Sequence, residues 1–535
     1  MINKNKQKKL SNQRSGNRTL SIIVILSILI FITATAIGGE KQVNKLIVQA
    51  DLGTEKISRY IYGHFAEHLG RCIYEGIWVG EDSPIPNTRG IRNDVVAALK
   101  KINIPVLRWP GGCFADTYHW MDGIGSKDQR PTIINVHWGG VTENNHFGTH
   151  EFLDLCEQLG CEAYICGNVG SGTVQEFAQW VEYVTFDGKS PMADLRHDNG
   201  RDRPWQVKFW GIGNESWGCG GNMRAEYYAD VMRRYATFCR NFGDNKVYRI
   251  ACGSYGEDYH WTEVLMKDRR TREMMQGLSF HYYTVFENWG NKGSATNFDE
   301  YRWFGTLKTT LRMEELIQKH TIIMDRYDPE KKIGFIIDEW GDWFDVEPGT
   351  NPGFLYQQNT LRDGLVAAIN LNIFNHYCDR VKMANIAQTV NVLQAMILTK
   401  DEQMIVTPSY HVFDMYKVHQ DAVLLPTDMQ CVDYTYKDQS IPAVNVSASR
   451  DSSGRIHISL CNLDPNHVQE LICEIRGISF SQVAGNILTA EKMTAHNTFE
   501  KPDVVKPVVF RNFRKTGNQL MINLPSKSIV VLELQ

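Results

Sequence analysis

Between residues 58 and 420 the chain alternates short apolar runs with amphipathic segments. The runs are RYIYGHFAEH (59–68), PVLRWPGG (105–112), EAYICGNVG (162–170), VKFWGIGNE (207–215), YRIACGSYG (248–256), GLSFHYYT (277–284), IGFIIDEWG (333–341) and VKMANIAQTVN (381–391). Between them, apolar residues fall at helical spacing: Phe152, Leu155, Cys156 and Leu159; Val174, Phe177, Ala178 and Val181; Tyr228, Val231, Met232 and Tyr235. Positions i, i+3, i+4 and i+7 share one helix face. Eight strands alternating with helices predict an α/β fold, the (β/α)8 TIM barrel. After the helix-like SYHVFDMYKVH (409–419) the period changes. Residues 421–535 show strand alternation (RIHISLCNL, SIVVLEL) cut by turn clusters (DSSGR, NLDPNH), which predicts an all-β, jelly-roll-like sandwich. The segment 40–57, with its strand-like NKLIVQADL, is assigned to that sandwich.

The first 39 residues stand apart. Lys4, Lys6, Lys8, Lys9, Arg14 and Arg18, with no acid, precede an apolar run from Leu20 to Ile37 and the small residues Gly38 and Gly39. That is the pattern of a secretory signal peptide, with a retained N-terminal anchor as the alternative, so export to the periplasm or outside the cell is expected. Without those six basic residues the balance is 51 basic against 61 acidic, a formal −10. Such a surface suits neither nucleic acid nor an anionic membrane, and a neutral target is expected. The twelve cysteines are scattered from Cys72 to Cys473 without a CxxC pair, and Cys156, Cys161 and Cys166 recur at a spacing foreign to zinc sites. They read as small buried apolar residues rather than disulfides or metal ligands. HExxH, P-loop and GxGxxG signatures are absent, so no metal or cofactor is expected.

Barrel enzymes carry their chemistry at the C-terminal ends of the strands. The first run ends at Glu67-His68, the second at Arg108-Trp109 before Pro110-Gly111-Gly112-Cys113, and the fourth at Asn214-Glu215. The sixth ends at His281-Tyr282-Tyr283, the seventh at Asp338-Glu339-Trp340, and the eighth at Gln388. Glu215 and Glu339 therefore sit at matching depth, and Trp210, Trp217, Trp340 and Trp343 are expected to line a cleft beside them. Two carboxylates among aromatic platforms are the equipment for glycoside hydrolysis. One protonates the leaving oxygen. The other attacks, kept ionised by donors such as Arg108 and Tyr283. Asn214 is placed to hydrogen-bond a sugar 2-hydroxyl. A single strand-end glutamate is ordinarily a rim ion pair, and Cys219 with Gly220-Gly221 ordinarily shapes a loop. Convergence of NE, HYY and DEW on one end of the barrel favours catalysis.

Several long stretches also resemble the retaining α-L-arabinofuranosidases of glycoside hydrolase family 51. They are YGHFAEHLGRCIYEGIW, LRWPGGCFADTYHWMDGIG, NVHWGGVTENNHFGTHEFLDLCEQLGCEAYICGNVGSGT, FWGIGNESWGCGGNM, FHYYT, GSATNFDEYRWF, IIDEWGDWF and AQTVNVL, and they span the chain after the leader. The resemblance implies Glu215 as acid/base and Glu339 as nucleophile. It implies Glu67, Asn214, Tyr283 and Gln388 as binders of the arabinofuranosyl ring, with Trp343 lining the site. Arg108, His281 and Cys113 complete the expected substrate-binding set, although Cys113 stands where other members have Asn. The resemblance further implies exo-release of terminal arabinofuranosyl groups from arabinan, arabinoxylan or their oligosaccharides, and a homo-oligomer such as a hexamer. The rival readings are a retaining endo-glucanase or xylosidase on the same barrel, or a non-catalytic carbohydrate-binding protein.

Overall fold

The computed structural model describes residues 43–535, so the leader lies outside the described residues. A first strand, β1 (Asn44–Gln49), belongs to the sandwich. The eight apolar runs become β2 (Gly63–Phe65), β3 (Val106–Trp109), β4 (Glu162–Gly167), β5 (Phe209–Ile212), β6 (Tyr248–Tyr255), β7 (Gly277–Thr284), β8 (Gly334–Asp342) and β9 (Val381–Ala387). They pair in parallel, in chain order, and β9 closes the barrel on β2 through Asn385 opposite Gly63. Strands covered on both faces read as near-continuous apolar runs, which is why strict alternation is missing from these segments. The predicted helical faces are buried against them: α1 (Thr149–Leu159) through Phe152 and Leu155, α2 (Val174–Thr185) through Phe177 and Val181, and α3 (Ala225–Phe238) through Tyr228 and Met232.

Inside the barrel, Val106, Tyr164, Phe209, Ile250, Ile336 and Met383 form a separate buried layer. Side chains two positions further along a strand face the same way. The residues following Val106 and Ile336 at that spacing are Arg108 and Asp338, so charge sits directly above an apolar plug. Register shifts between Ser279 and His281 and between Ile337 and Trp340 break the regular phase of β7 and β8 at that level. Such irregularities re-aim side chains near active sites. Here they allow Asp338 and its neighbour Glu339 both to reach His281.

α4 (Leu361–His376) is buried on every side along almost its whole length, with Arg362, Asp363, Asn370, Asn372 and Asn375 included. A helix of that kind lies inside a structure. It ties the barrel to the sandwich: Asn375 accepts from the Tyr62 hydroxyl at 3.2 Å and donates to Ser447 at 3.3 Å. The sandwich strands are β10 (Val423–Leu424), β11 (Thr427–Gln430), β12 (Val444–Arg450), β13 (Ile456–Asn462), β14 (Gln469–Arg476), β15 (Val483–Leu488), β16 (Val508–Val509), β17 (Phe513–Thr516), β18 (Gln519–Leu524) and β19 (Ser528–Leu534). One sheet runs β11-β1-β14-β18-β17 and the other β10-β12-β13-β19-β15-β16. Alternate residues from both (Leu46, Val48, Val446, Ile458, Cys473, Ile522, Leu532) fill the space between them.

At the barrel–sandwich boundary His419 lies fully buried, its two ring nitrogens 2.7 Å from Ser449 Oγ and 2.5 Å from Ser459 Oγ. Burial, reinforced by His457, pushes its pKa down to about 3. The unfolded chain then takes up this proton near the ordinary value of 6.5 while the folded chain does not. The contribution to stability is therefore full above that pH and is lost on acidification toward 3, at up to about 1.4 kcal/mol per pH unit. His419→Gln, which keeps a donor and an acceptor but does not titrate, is expected to flatten the acid limb of thermal midpoint against pH. Parallel acid limbs for the two proteins would contradict this.

Candidate active site

Glu215 follows β5 with φ 41°, in the left-handed region. A non-glycine residue there costs about 1–3 kcal/mol and persists only where its surroundings over-determine it. They do so here. The Asn214 amide donates to Asp116 Oδ2 (3.0 Å), and the amides of Gly218 and Gly220 donate to the Glu215 carbonyl (2.7 and 3.1 Å). Asp116 also accepts from the amides of Val169 and Gly170, joining the loops after β3, β4 and β5.

His281 organises the two glutamates. Its Nδ1 lies 2.9 Å from Glu215 Oε1 and 2.6 Å from Glu339 Oε2, while Nε2 is 3.2 Å from Asp338 Oδ1. One oxygen of each glutamate thus lies within 4.8 Å of the other. Burial alone would push His281 down. The Glu339 charge and hydrogen bonds with Asp338, Glu215 and Glu339 outweigh it and carry the pKa well above the ordinary value. The imidazolium in turn favours the ionised form of both carboxyls, yet the two end on opposite sides of the ordinary value. Burial, helped by Glu339, raises Glu215 despite its bond to His281. Glu339 is buried as well, yet the His281 charge and hydrogen bond, then Arg108, bring it below its ordinary value.

Arg108 is fully buried beneath them. Its Nη2 donates to Asn214 Oδ1 at 2.6 Å, Nε lies 3.6 Å from Asp338 Oδ2, and Nη1 lies 3.9 Å from Glu339 Oε1. Oδ1 of Asn214 is thereby engaged, and its Nδ2 lies 3.9 Å from Cys219 Sγ. Glu67 accepts from the Phe114 amide (3.1 Å), Trp138 Nε1 (2.8 Å) and Gln388 Nε2 (2.9 Å). Burial and the nearby Glu339 still push it up to about 7. A Cβ on Gly112 would meet Glu67 Oε1 at 2.5 Å, so this close approach requires glycine. Tyr283 packs edge-on against Trp343, ring centres 5.1 Å apart. All ten residues expected from the sequence thus converge on the C-terminal mouth of the barrel or directly under it.

Two expectations need correction. Trp210 and Trp340 do not line the cleft: both are 0% exposed and face the helix layer, against Trp180 and Phe374 respectively. Successive strand residues point to opposite faces, so a Trp flanking a catalytic-face residue is carried outward. The mouth is instead rimmed by Trp217, Tyr255, Trp289 and Trp343, with successive ring centres 5.7, 6.2 and 5.2 Å apart. The cysteines also include a disulfide, Cys113–Cys219, across 106 residues. Its partners carry no spacing motif, because only barrel closure brings the loops after β3 and β5 together. Cys113 is therefore half of a bridge, with its sulfur 3.9 Å and that of Cys219 3.5 Å from Glu215 Oε2. Trp138, Tyr164 (donating to Asp338 Oδ2 at 2.7 Å), Asp116 and Trp289 had no periodic signal, since they act from loops or as single inward positions.

Comparison with known proteins agrees with this geometry. Residues 98–302 match the model of the "Alpha-L-arabinofuranosidase 1 domain", and residues 338–528 that of the "Alpha-L-arabinofuranosidase C-terminal domain". The "Intracellular exo-alpha-L-arabinofuranosidase" of Bacteroides ovatus is 56% identical over 491 residues, covering 92% of this chain and 95% of its own length. This chain belongs to the α-L-arabinofuranosidases of glycoside hydrolase family 51. Among solved structures, the family 51 arabinofuranosidase of Xanthomonas axonopodis pv. citri superposes with a TM-score of 0.91 at 52% identity, covering 92% of this chain and 100% of that one. The arabinose complex of the Thermotoga maritima α-L-arabinofuranosidase gives 0.81 at 31% identity, covering 92% and 99%. The expected export is overturned, because the Bacteroides family member is named an intracellular enzyme. No helix among the described residues of this arabinofuranosidase is long and apolar enough to cross a membrane.

Proposed function

We propose that this arabinofuranosidase releases non-reducing terminal α-L-arabinofuranosyl residues from arabinan, arabinoxylan or derived oligosaccharides by double displacement, with retention of configuration. The observation that carries this reading is a pair of close glutamates shifted in opposite directions, Glu215 up through burial and the Glu339 charge, and Glu339 down through His281 and Arg108. Retaining glycosidases hold their carboxyls about 5–5.5 Å apart, whereas inverting enzymes leave room for water at about 6.5–9.5 Å. An oxygen pair within 4.8 Å fits the former.

In the first step Glu339, ionised, forms an ester bond to C1 while Glu215 gives its proton to the departing glycosidic oxygen. In the second, Glu215, now a carboxylate, takes a proton from water as its oxygen attacks C1, and Glu339 leaves. The Asn214 amide nitrogen donates to the 2-hydroxyl, oriented by Arg108. Glu67, Gln388 and Tyr283 hold the remaining hydroxyls. Arg108 and His281 act from below on the carboxylates rather than on sugar. The named activity of the Bacteroides relative favours an exo-arabinofuranosidase over a glucanase, xylosidase or inert binder, and favours a place inside the cell. Exposed Ile134 and Val136, both 63% accessible near Trp138, offer an apolar surface for a second copy of the chain, in keeping with a homo-oligomer. A monomer in sedimentation equilibrium would remove that part of the reading.

The test follows a branched arabino-oligosaccharide by proton NMR. Arabinose alone should be released, and the α-anomer should appear before mutarotation. First-formed β-arabinose would exclude double displacement, and internal cleavage products would exclude exo action.

A further inference from the structure

We propose that Cys113, Cys219 and Glu215 form a redox-gated site for a thiophilic divalent cation, closed while the disulfide stands and inhibitory once it is reduced. The two oxygens of Glu215 have different surroundings. Oε1 faces His281, whereas Oε2 faces sulfur, 3.9 Å from Cys113 and 3.5 Å from Cys219. One ligand atom from each of the three residues lies within 4.8 Å of the other two, and all three residues are part-exposed at the mouth. A tetrahedral zinc ion with Zn–S near 2.3 Å and Zn–O near 2.0–2.2 Å spaces its ligands by about 3.5–3.8 Å. The sulfur–carboxylate distances already approach that spacing. Only the bond between the two sulfurs holds the remaining edge too short.

Cutting that bond needs a two-electron reductant such as a thiol pair. The disulfide accepts two electrons and two protons to become two thiols, and the reductant leaves as its own disulfide. Cys113 opens the short turn Cys113–Thr117 and Cys219 lies in the hydrogen-bonded segment after β5, so the sulfurs part by rotation of the two side chains about Cα–Cβ while the backbone stays in place. An incoming cation then displaces both thiol protons and binds two thiolates and Oε2, with water or substrate in the fourth position. Soft ligands of this kind select zinc or cadmium over magnesium and calcium. A cation on Oε2 removes Glu215 from proton transfer. In this view the disulfide shields the acid/base from thiophilic metals, and a reducing compartment, where such bonds are rare, exposes it.

Inhibition rests on the proposed role of Glu215, whereas binding does not, so the two are read separately. The intact protein is treated with a phosphine reductant, and the gain of two thiols is verified. Zinc chloride is then titrated against activity, and cadmium chloride against the ultraviolet thiolate-to-cadmium band. Reduced protein should bind one equivalent and show the band. Its turnover should fall by about 10²–10⁴-fold, the usual contribution of a general acid/base, and a chelator should restore it. Oxidised protein should bind nothing and keep its activity in zinc. Reduced Cys219→Ser should lose stoichiometric binding and the band.

Equal metal sensitivity of oxidised and reduced protein would overturn the proposal. So would a reduced protein without the band, a bond that no reductant opens in the folded chain, or a band that survives Cys219→Ser. Tight binding with activity intact would instead uphold the site and overturn the role of Glu215.

Discussion

Glu339→Ala is expected to lose turnover by roughly 10⁴–10⁶-fold, the scale of deleting a covalent nucleophile. No glycosyl-enzyme should accumulate on any substrate, however good its leaving group. Azide should restore part of the activity by direct displacement at C1, helped by Glu215, which still delivers its proton. One inversion of an α-glycoside gives the β-furanosyl azide. The fold should survive, because the substitution leaves His281 paired with Asp338 and Glu215. Thermal melting and far-ultraviolet circular dichroism check that point. A variant with more than a few per cent of normal turnover, or one that still forms the covalent ester, would place the nucleophile elsewhere.

Glu215→Ala should fail differently. On natural linkages, whose leaving oxygen needs protonation, turnover should fall by about 10²–10⁴-fold. Aryl arabinofuranosides with acidic phenols need little protonation, so they should still esterify Glu339 and show a burst, followed by slow hydrolysis. Azide, which needs no general base, should accelerate that second step. Two inversions return the α-furanosyl azide, the opposite anomer from the one expected of Glu339→Ala. Exchange of the two azide anomers between the variants would mean the roles are reversed.

The pH profile carries the same signature. In the parent protein, kcat/KM should fall on the acid side as Glu339 is protonated, below the ordinary glutamate range. On the alkaline side it should fall as Glu215 loses its proton, above that range. Glu215→Ala should retain the acid limb on aryl substrates and lose the alkaline one. Persistence of both limbs would assign the alkaline limb to another group.

Much of this was legible before folding. Local period distinguishes strand from helix, so eight apolar runs separated by amphipathic segments implied a closed barrel. The barrel's polarity then marked the strand ends. Glu67, Asn214, Glu215, Tyr283, Glu339 and Gln388 were readable because each lies near the C-terminal end of its strand, inside it or just past it. Local information of this kind survives in one dimension. Which face a residue occupies at a bulge does not: the register shifts in β7 and β8 brought His281 to both Asp338 and Glu339, and Trp340, one residue beyond Glu339, was carried into the helix layer.

The tertiary structure alone decided the contacts made at long sequence separation. The Cys113–Cys219 bridge joins loops 106 residues apart, and Trp138 reaches Glu67 from a hairpin with no periodic signal. The opposite shifts of Glu215 and Glu339 come from unequal balances, burial and the Glu339 charge prevailing at Glu215 and His281 with Arg108 prevailing at Glu339. A carboxyl's acidity depends on burial and on charges within a few ångströms, and neither quantity is a property of its sequence neighbours. The chain order thus determined which groups the barrel presents at its mouth. Closure of the barrel determined their distances, and through those distances the opposite directions in which the two glutamates are shifted.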